Sequence, residues 1–157
     1  MYTDIAMNVV LDIDDFKLEN VFFQDSVKNT VMDNSDFIRT LYSTELFTLN
    51  GIFLKTNINT THIEKYFNKY KCIFDKELNR TEIDKMLSIE KRILKMVGIE
   101  NKRAAYRIED QLSSGNIKLF TDNMEKSLGN QYIFKISGIW ETGTDYGLTY
   151  KFMNITS

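Results

Sequence analysis

QYIFKISGIWETGTDYGLTYKFM, residues 131–153, is the stretch on which the fold turns. Two runs of strand-like alternation flank a turn-rich segment, residues 141–147, whose glycines and small polar side chains can reverse the chain. In the first run Phe134, Ile136 and Trp140 fall opposite Lys135, Ser137 and Ile139; in the second, Leu148, Tyr150 and Phe152 oppose Thr149, Lys151 and Met153. The reading is a closing β-hairpin with one apolar face. Leaving that face in water would forfeit about 1.5–3 kcal/mol for each large side chain, so the preceding elements must cover it.

Working back from the hairpin, residues 5–13 and 20–24 read as short strands, and residues 25–36 as a turn-prone connector. Residues 37–43 and 48–58 are β-rich runs expected to pair antiparallel, with Asn50-Gly51 as a bend or bulge. Thr61 and Glu64 have capping-box spacing, and Ile63, Tyr66, Phe67 and Tyr70 follow a helical stripe, which predicts a short amphipathic helix and then a strand over 71–75. The main helix is expected over residues 81–97, with Thr81 as N-cap and Gly98 just past its end. Strand-like runs at 104–108 and 116–120 enclose a single helical turn at 109–112, and a polar loop leads to the hairpin. Strands, one dominant helix, then more strands describe an all-β to α+β domain. The order matches an OB-fold, a five-stranded Greek-key barrel with one main helix and a C-terminal hairpin. A single domain over residues 1–157 is expected, with 1–36 as acidic N-terminal strands and connector packed on it.

Composition narrows the function classes. One cysteine, Cys72, and one histidine, His62, exclude an intramolecular disulfide and a zinc site of several Cys or His ligands. No run approaches the roughly 20 apolar residues of a membrane span, and the N-terminal segment lacks the basic start of a signal peptide. A protein that is neither secreted nor membrane-bound is expected, so the Asn-Xaa-Thr triplets at Asn59, Asn79 and Asn154 carry no weight. The net charge of −2 is unevenly spread. Residues 1–40 hold eight acidic side chains against three basic, whereas residues 85–107 hold seven basic against two acidic. That basic run is either a solvated helix face or a surface for a polyanion.

Among catalytic templates, NVVLDIDD at residues 8–15 resembles the first motif of haloacid-dehalogenase-type phosphatases, which implies Asp12 as nucleophile and Asp14 as acid near Mg²⁺. Phe16 departs from that motif, and neither a downstream Gly-Asp-rich motif nor a strand–helix alternation accompanies it. The alternative is a strand end with an exposed acidic loop. His62 has no nucleophile motif beside it, and no phosphate-binding glycine loop is present. The expectation is therefore a protein without enzymatic activity, cofactor or metal.

Basic and aromatic residues on strands form the remaining constellation. Proteins that hold single-stranded nucleic acid stack bases on aromatics, at about 1–3 kcal/mol each, and neutralise phosphates with Lys and Arg. The candidates are Arg39, Tyr42, Phe53, Lys55, Lys71, Arg107, Lys135, Tyr146 and Lys151, with Tyr70 beside Lys71. Strand aromatics such as Tyr42, Phe53, Tyr70 and Trp140 have core positions as their usual fate. Tyr146, in the Gly-rich hairpin loop, is expected to be the exposed one.

DNSDFIRTLYSTELFTLNGIFL (33–54), SGNIKLF (114–120) and KISGIWETGTDYGLTYKF (135–152) resemble, in that order, a group of OB-fold-like proteins of large DNA viruses, similar to the T7-type phage single-stranded-DNA-binding proteins. The resemblance implies an OB-fold, sequence-independent binding of single-stranded DNA, and a role in viral replication, recombination or repair. Viral replication proteins as partners, a homo-oligomer, and a place in the host cytoplasm, viral factory or virion belong to the same expectation. T7-type proteins end in an acidic tail, whereas this chain has no acidic residue after Asp145. The acidic segment at 1–40 is the candidate substitute for it. A structural or protein-interaction module of a virion or replication complex is the second reading, and the metal-dependent phosphatase the third.

Overall fold

The computed structural model describes residues 9–119 and 130–155. The closing hairpin is its spine: β11 (Gln131–Glu141) pairs antiparallel with β12 (Asp145–Asn154) from Tyr132↔Asn154 to Glu141↔Tyr146. Thr142 closes the turn, donating its N–H to the Asp145 carbonyl at 2.8 Å while its hydroxyl accepts from the Thr144 and Asp145 amides.

The hairpin departs from strict alternation at one residue. Ile136 lies opposite Tyr150 and Gly138 opposite Thr149, so Ser137 is the extra residue of a bulge. Its insertion reverses the inward and outward phase. Phe134 and Ile136 before it and Ile139 after it all enter the core, and Trp140 moves to the opposite side. The expected grouping of Trp140 with Phe134 and Ile136 is thereby corrected.

The bulge also marks a change of partner. Below it, β11 pairs with β6 (Ile52–Asn57); above it, with β4 (Asp36–Ser43). As expected, β4 pairs antiparallel with β5 (Thr48–Asn50), but at Gly51 (φ 114°) the chain turns a corner and β6 leaves β4 for β11. Short strands β1 (Leu11–Asp12), β2 (Val21–Phe23) and β3 (Val27–Lys28) flank β6 and β4. Of the strand expected at 5–13, residues 5–8 lie outside the described residues, and the rest yields β1 and a 3-10 turn at Ile13–Asp15.

The helix expected from Thr61 is a strand. β7 (Thr60–Tyr66) and β8 (Lys69–Phe74) form a hairpin turning at Phe67, whose φ is 56°. The helical stripe is not kept as one packed face: Ile63 and Tyr70 pack inward, while Phe67 is 93% exposed. Pairing with β8 satisfies the backbone and overrides the local pattern. α1 (Arg80–Val97) lies where expected, with Asn79 rather than Thr81 at the N-cap position, its side chain accepting from Asn59 N instead of capping the helix, and with Gly98 in the left-handed region at its end. β9 (Arg103–Ala105) is shorter than its expected run, because Arg107 and Ile108 join α2 (Arg107–Ser113). β10 (Asn116–Leu119) pairs antiparallel with β8 and parallel with β12.

The protein is mostly β, with two α-helices among the described residues. Its mixed sheet runs β1-β6-β11-β12-β10-β8-β7, and no pairing among the described residues closes β7 onto β1. On the inner face Leu54, Phe134, Ile136, Ile139, Leu148 and Phe152 meet Met86, Ile89, Ile93 and Leu94 of α1 and Ile108 and Leu112 of α2. No helix among the described residues is long and apolar enough to cross a membrane.

Candidate nucleic-acid interface

Because inner-face residues are apolar, the alternate positions of β6, β11 and β12 face outward. Phe53, Lys135 and Lys151 are in direct register across these strands. The Lys135 ammonium lies 5.2 Å from the centre of the Phe53 ring, and Lys55 follows Phe53 on the same face of β6. Arg39, opposite Gly138 at the bulge, completes the group; its guanidinium donates to Asn50 Oδ1 at 3.1 Å and lies 5.5 Å over the Phe37 ring. Partial burial, and next to it the charges of Lys151 and Arg39, hold the Lys135 pKa below the ordinary lysine value. Among the described residues no carboxylate ion-pairs with Arg39, Lys135 or Lys151. Three cations that repel one another without a counter-charge make a site that an anion would stabilise.

A second basic group lies across β12. Lys118 and Lys71 pair directly between β10 and β8, and the parallel Leu119↔Phe152 register brings Lys118 level with Lys151. Lys71 and Lys118 line a cleft with Arg107 and Tyr150 at the place where α2 meets the sheet. Arg107 also borders the cleft described below, its guanidinium 4.2 Å over the Trp140 ring. Its backbone is held from two sides. The Tyr150 hydroxyl donates to the Arg107 carbonyl at 3.4 Å, and buried Glu90 accepts the next two amides, Ile108 and Glu109, at 2.9 and 3.2 Å.

Seven of the nine sequence candidates thus fall on or beside one basic face: Arg39, Phe53, Lys55, Lys71, Arg107, Lys135 and Lys151. The other two do not. Tyr42 is 1% exposed, with its ring 5.8 Å from Phe16 and its hydroxyl accepting from Lys17 N and Asn20 Nδ2. Tyr146 sits within β12 opposite Glu141, 9% exposed and part of the core, because the turn is confined to Thr142, Gly143 and Thr144. Neither can serve as a stacking platform. Tyr70 is likewise buried in the core. Sequence reasoning missed Lys118, although its place between Ile117 and Leu119 in SGNIKLF carries the alternation of a strand with one wet face.

Part of the basic run at 85–107 is paired within the fold. Lys85 pairs with Asp14 at 2.7 Å, Lys102 with Glu141 at 2.6 Å and Arg103 with Asp145 at 3.2 Å. Arg92 lies over the Phe16 ring. Of the acidic front, Asp14 is spent on one of these pairs. Asp12 is occupied too, accepting the Asp14 amide at 3.0 Å as the cap of the 3-10 turn. Among the described residues no three His, Cys, Asp or Glu side chains converge as a metal-holding group. No family model matches the chain, and no curated protein and no solved structure is significantly similar to it.

Proposed function

We propose that this protein binds single-stranded DNA without sequence preference through the outward face of β6, β11 and β12, as an OB-like module serving viral replication, recombination or repair. The observation that carries the reading is the Arg39–Lys135–Lys151 cluster beside Phe53, cations with no carboxylate counter-charge among the described residues next to a half-buried ring. Such a surface tracks a phosphate backbone and offers a platform to its bases. Lys55 extends it on one side, and Lys118, Lys71 and Arg107 on the other. The mostly-β architecture with helices on the inner face supports the OB-like part of the proposal. No step of chemistry is assigned, and binding alone is the activity.

Fluorescence anisotropy of labelled oligo-dT at low and near-physiological salt tests this. Binding should weaken steeply with salt, and Lys135→Ala should reduce the log–log salt slope by about 0.7, the contribution of one phosphate contact on a single strand. Absence of binding at low salt would overturn the proposal. A second reading, a protein-contact module of a virion or replication complex, draws on Leu46 (90% exposed) and Phe67 (93% exposed), apolar side chains held out at the β4–β5 and β7–β8 turns.

A further inference from the structure

Where β4 crosses β11 above the bulge, the sheet opens into a cleft of about 600 Å³. One wall is β3 and the segment after it, residues 27–32. That wall is built rather than draped: Asn29 Oδ1 accepts the Val31 and Met32 amides, Asn29 N donates to the Ser35 carbonyl, and the Ser35 hydroxyl donates to the Met32 carbonyl at 2.7 Å. The other wall is Trp140 with Phe37 and Tyr150, and Ser137 and Thr149 also line the cleft. Lys28, Arg39 and Arg107 are its charged lining residues, all cationic, with no carboxylate among them.

Two close approaches create the shape. A Cβ on Gly138 would stand 2.2 Å from the Ile38 carbonyl oxygen and 2.6 Å from the Phe37 ring, and one on Gly147 would stand 2.7 Å from the Trp140 ring. Both glycines therefore let aromatic rings approach the backbone closely at the cleft wall. Trp140 lines the cleft but is 4% exposed beneath the Arg107 guanidinium, and its buried indole N–H has no acceptor among the described residues. Arg39 links the cleft to the Lys135–Lys151 cluster, and Arg107 links it to the Lys71–Lys118 cleft.

Resting on the DNA-binding reading above, we propose that this cleft receives one unstacked base of the bound strand. The base lies between the 27–32 wall and the wall of Phe37 and Trp140, whose 4% exposed ring is uncovered as Arg107 leaves it, and Arg39 and Arg107 take the phosphates on either side. Apolar walls match a base, flanking guanidinium groups match its phosphates, and the absence of lining carboxylates matches the negative charge of the strand. Arg107, stacked on the indole in the free protein, is the group the incoming nucleotide displaces.

Trp140 is the chain's single tryptophan, so its selectively excited fluorescence reports on this cleft alone. The test titrates the protein with oligo-dT and with an abasic strand of equal length, following Trp140 emission and the anisotropy of a label on the DNA. Oligo-dT should quench Trp140, and the abasic strand should bind at least about tenfold more weakly without quenching, as expected for losing stacked bases. Thr149→Phe fills the cleft from a half-buried strand position, and it should weaken oligo-dT at least about fivefold with the far-UV spectrum unchanged. Tight binding with unchanged Trp140 emission and no effect of Thr149→Phe would overturn the base pocket and leave the basic face standing. Equal quenching by the abasic strand would also overturn it, since Arg107 would then answer to phosphate alone. No anisotropy change with either strand would overturn the pocket and the DNA-binding reading together.

Discussion

Glu90 shows how one side chain can set the conditions under which the fold holds. It is fully buried in α1, and its two carboxylate oxygens accept the Ile108 and Glu109 amides at the start of α2. Burial pushes its pKa from the ordinary 4.5 up to about 7, against the pull of those two amides and with a further push from Glu109 and Asp110. Between these values the folded chain keeps a proton that the unfolded chain releases. This group's contribution to stability is therefore full below pH 4.5, falls as pH rises towards about 7, and levels above it. The loss across that window is up to about 3 kcal/mol. Urea denaturation at pH 5 and pH 8 should show the fall in the wild type and a flatter response in Glu90→Gln. A second prediction concerns Gly138. Because an added Cβ would stand 2.2 Å from the Ile38 carbonyl, Gly138→Ala should cost at least about 2 kcal/mol, whereas Gly143→Ala, with nothing within 4 Å, should cost much less.

At the scale of elements, β11 does the most with the least sequence. One extra residue, Ser137, turns a regular strand into one that serves β6 with its first half and β4 with its second, and that moves Trp140 from the expected core face to the cleft. The β7–β8 hairpin teaches the complementary lesson. Its helical stripe, Ile63, Tyr66, Phe67 and Tyr70, is as regular as that of α1, yet β8 is already tied to β10 over four residues and offers β7 a complete backbone ladder. Propensity yields to that pairing. The turn residue Phe67 then contributes nothing to packing, so Phe67→Ser should change stability by less than about 0.5 kcal/mol. Under the DNA-binding reading it should leave oligo-dT affinity unaltered. Loss of a protein partner's binding in the same variant would instead support the interaction reading.

At the scale of the whole molecule, net charge conceals the arrangement that matters. The chain carries −2, yet acidic groups are drawn to Lys85, Lys102 and Arg103 around the helices and hairpin turn, while the sheet face keeps Arg39, Lys135 and Lys151 without ion-pair partners among the described residues. Segregation of this kind separates the face that would meet a polyanion from the charges that close the fold. It also bears on the acidic front as a stand-in for an acidic tail. With Asp14 held by Lys85 and Asp12 capping a turn, these carboxylates have structural employment already. Deleting residues 1–15 should therefore lower stability, and unchanged DNA affinity and partner binding in that variant would remove the substitute-tail idea.

What the sequence determined by itself is what short-range chemistry dictates: the terminal hairpin, α1 with its glycine stop, the bend at Asn50-Gly51, and a strand-rich class. Periods of 2 and 3.6 residues and the demands of caps and turns act within a few residues, so they can be read along the chain. Tertiary structure alone decided the strandedness of residues 60–66, the phase reversal at Ser137, the burial of Tyr42 and Tyr146, and the meeting of Trp140 with Arg107. Each of these depends on a partner distant in sequence, β8 paired to β10, β4 crossing β11, or α2 held by Glu90, whose competing pull no local pattern records.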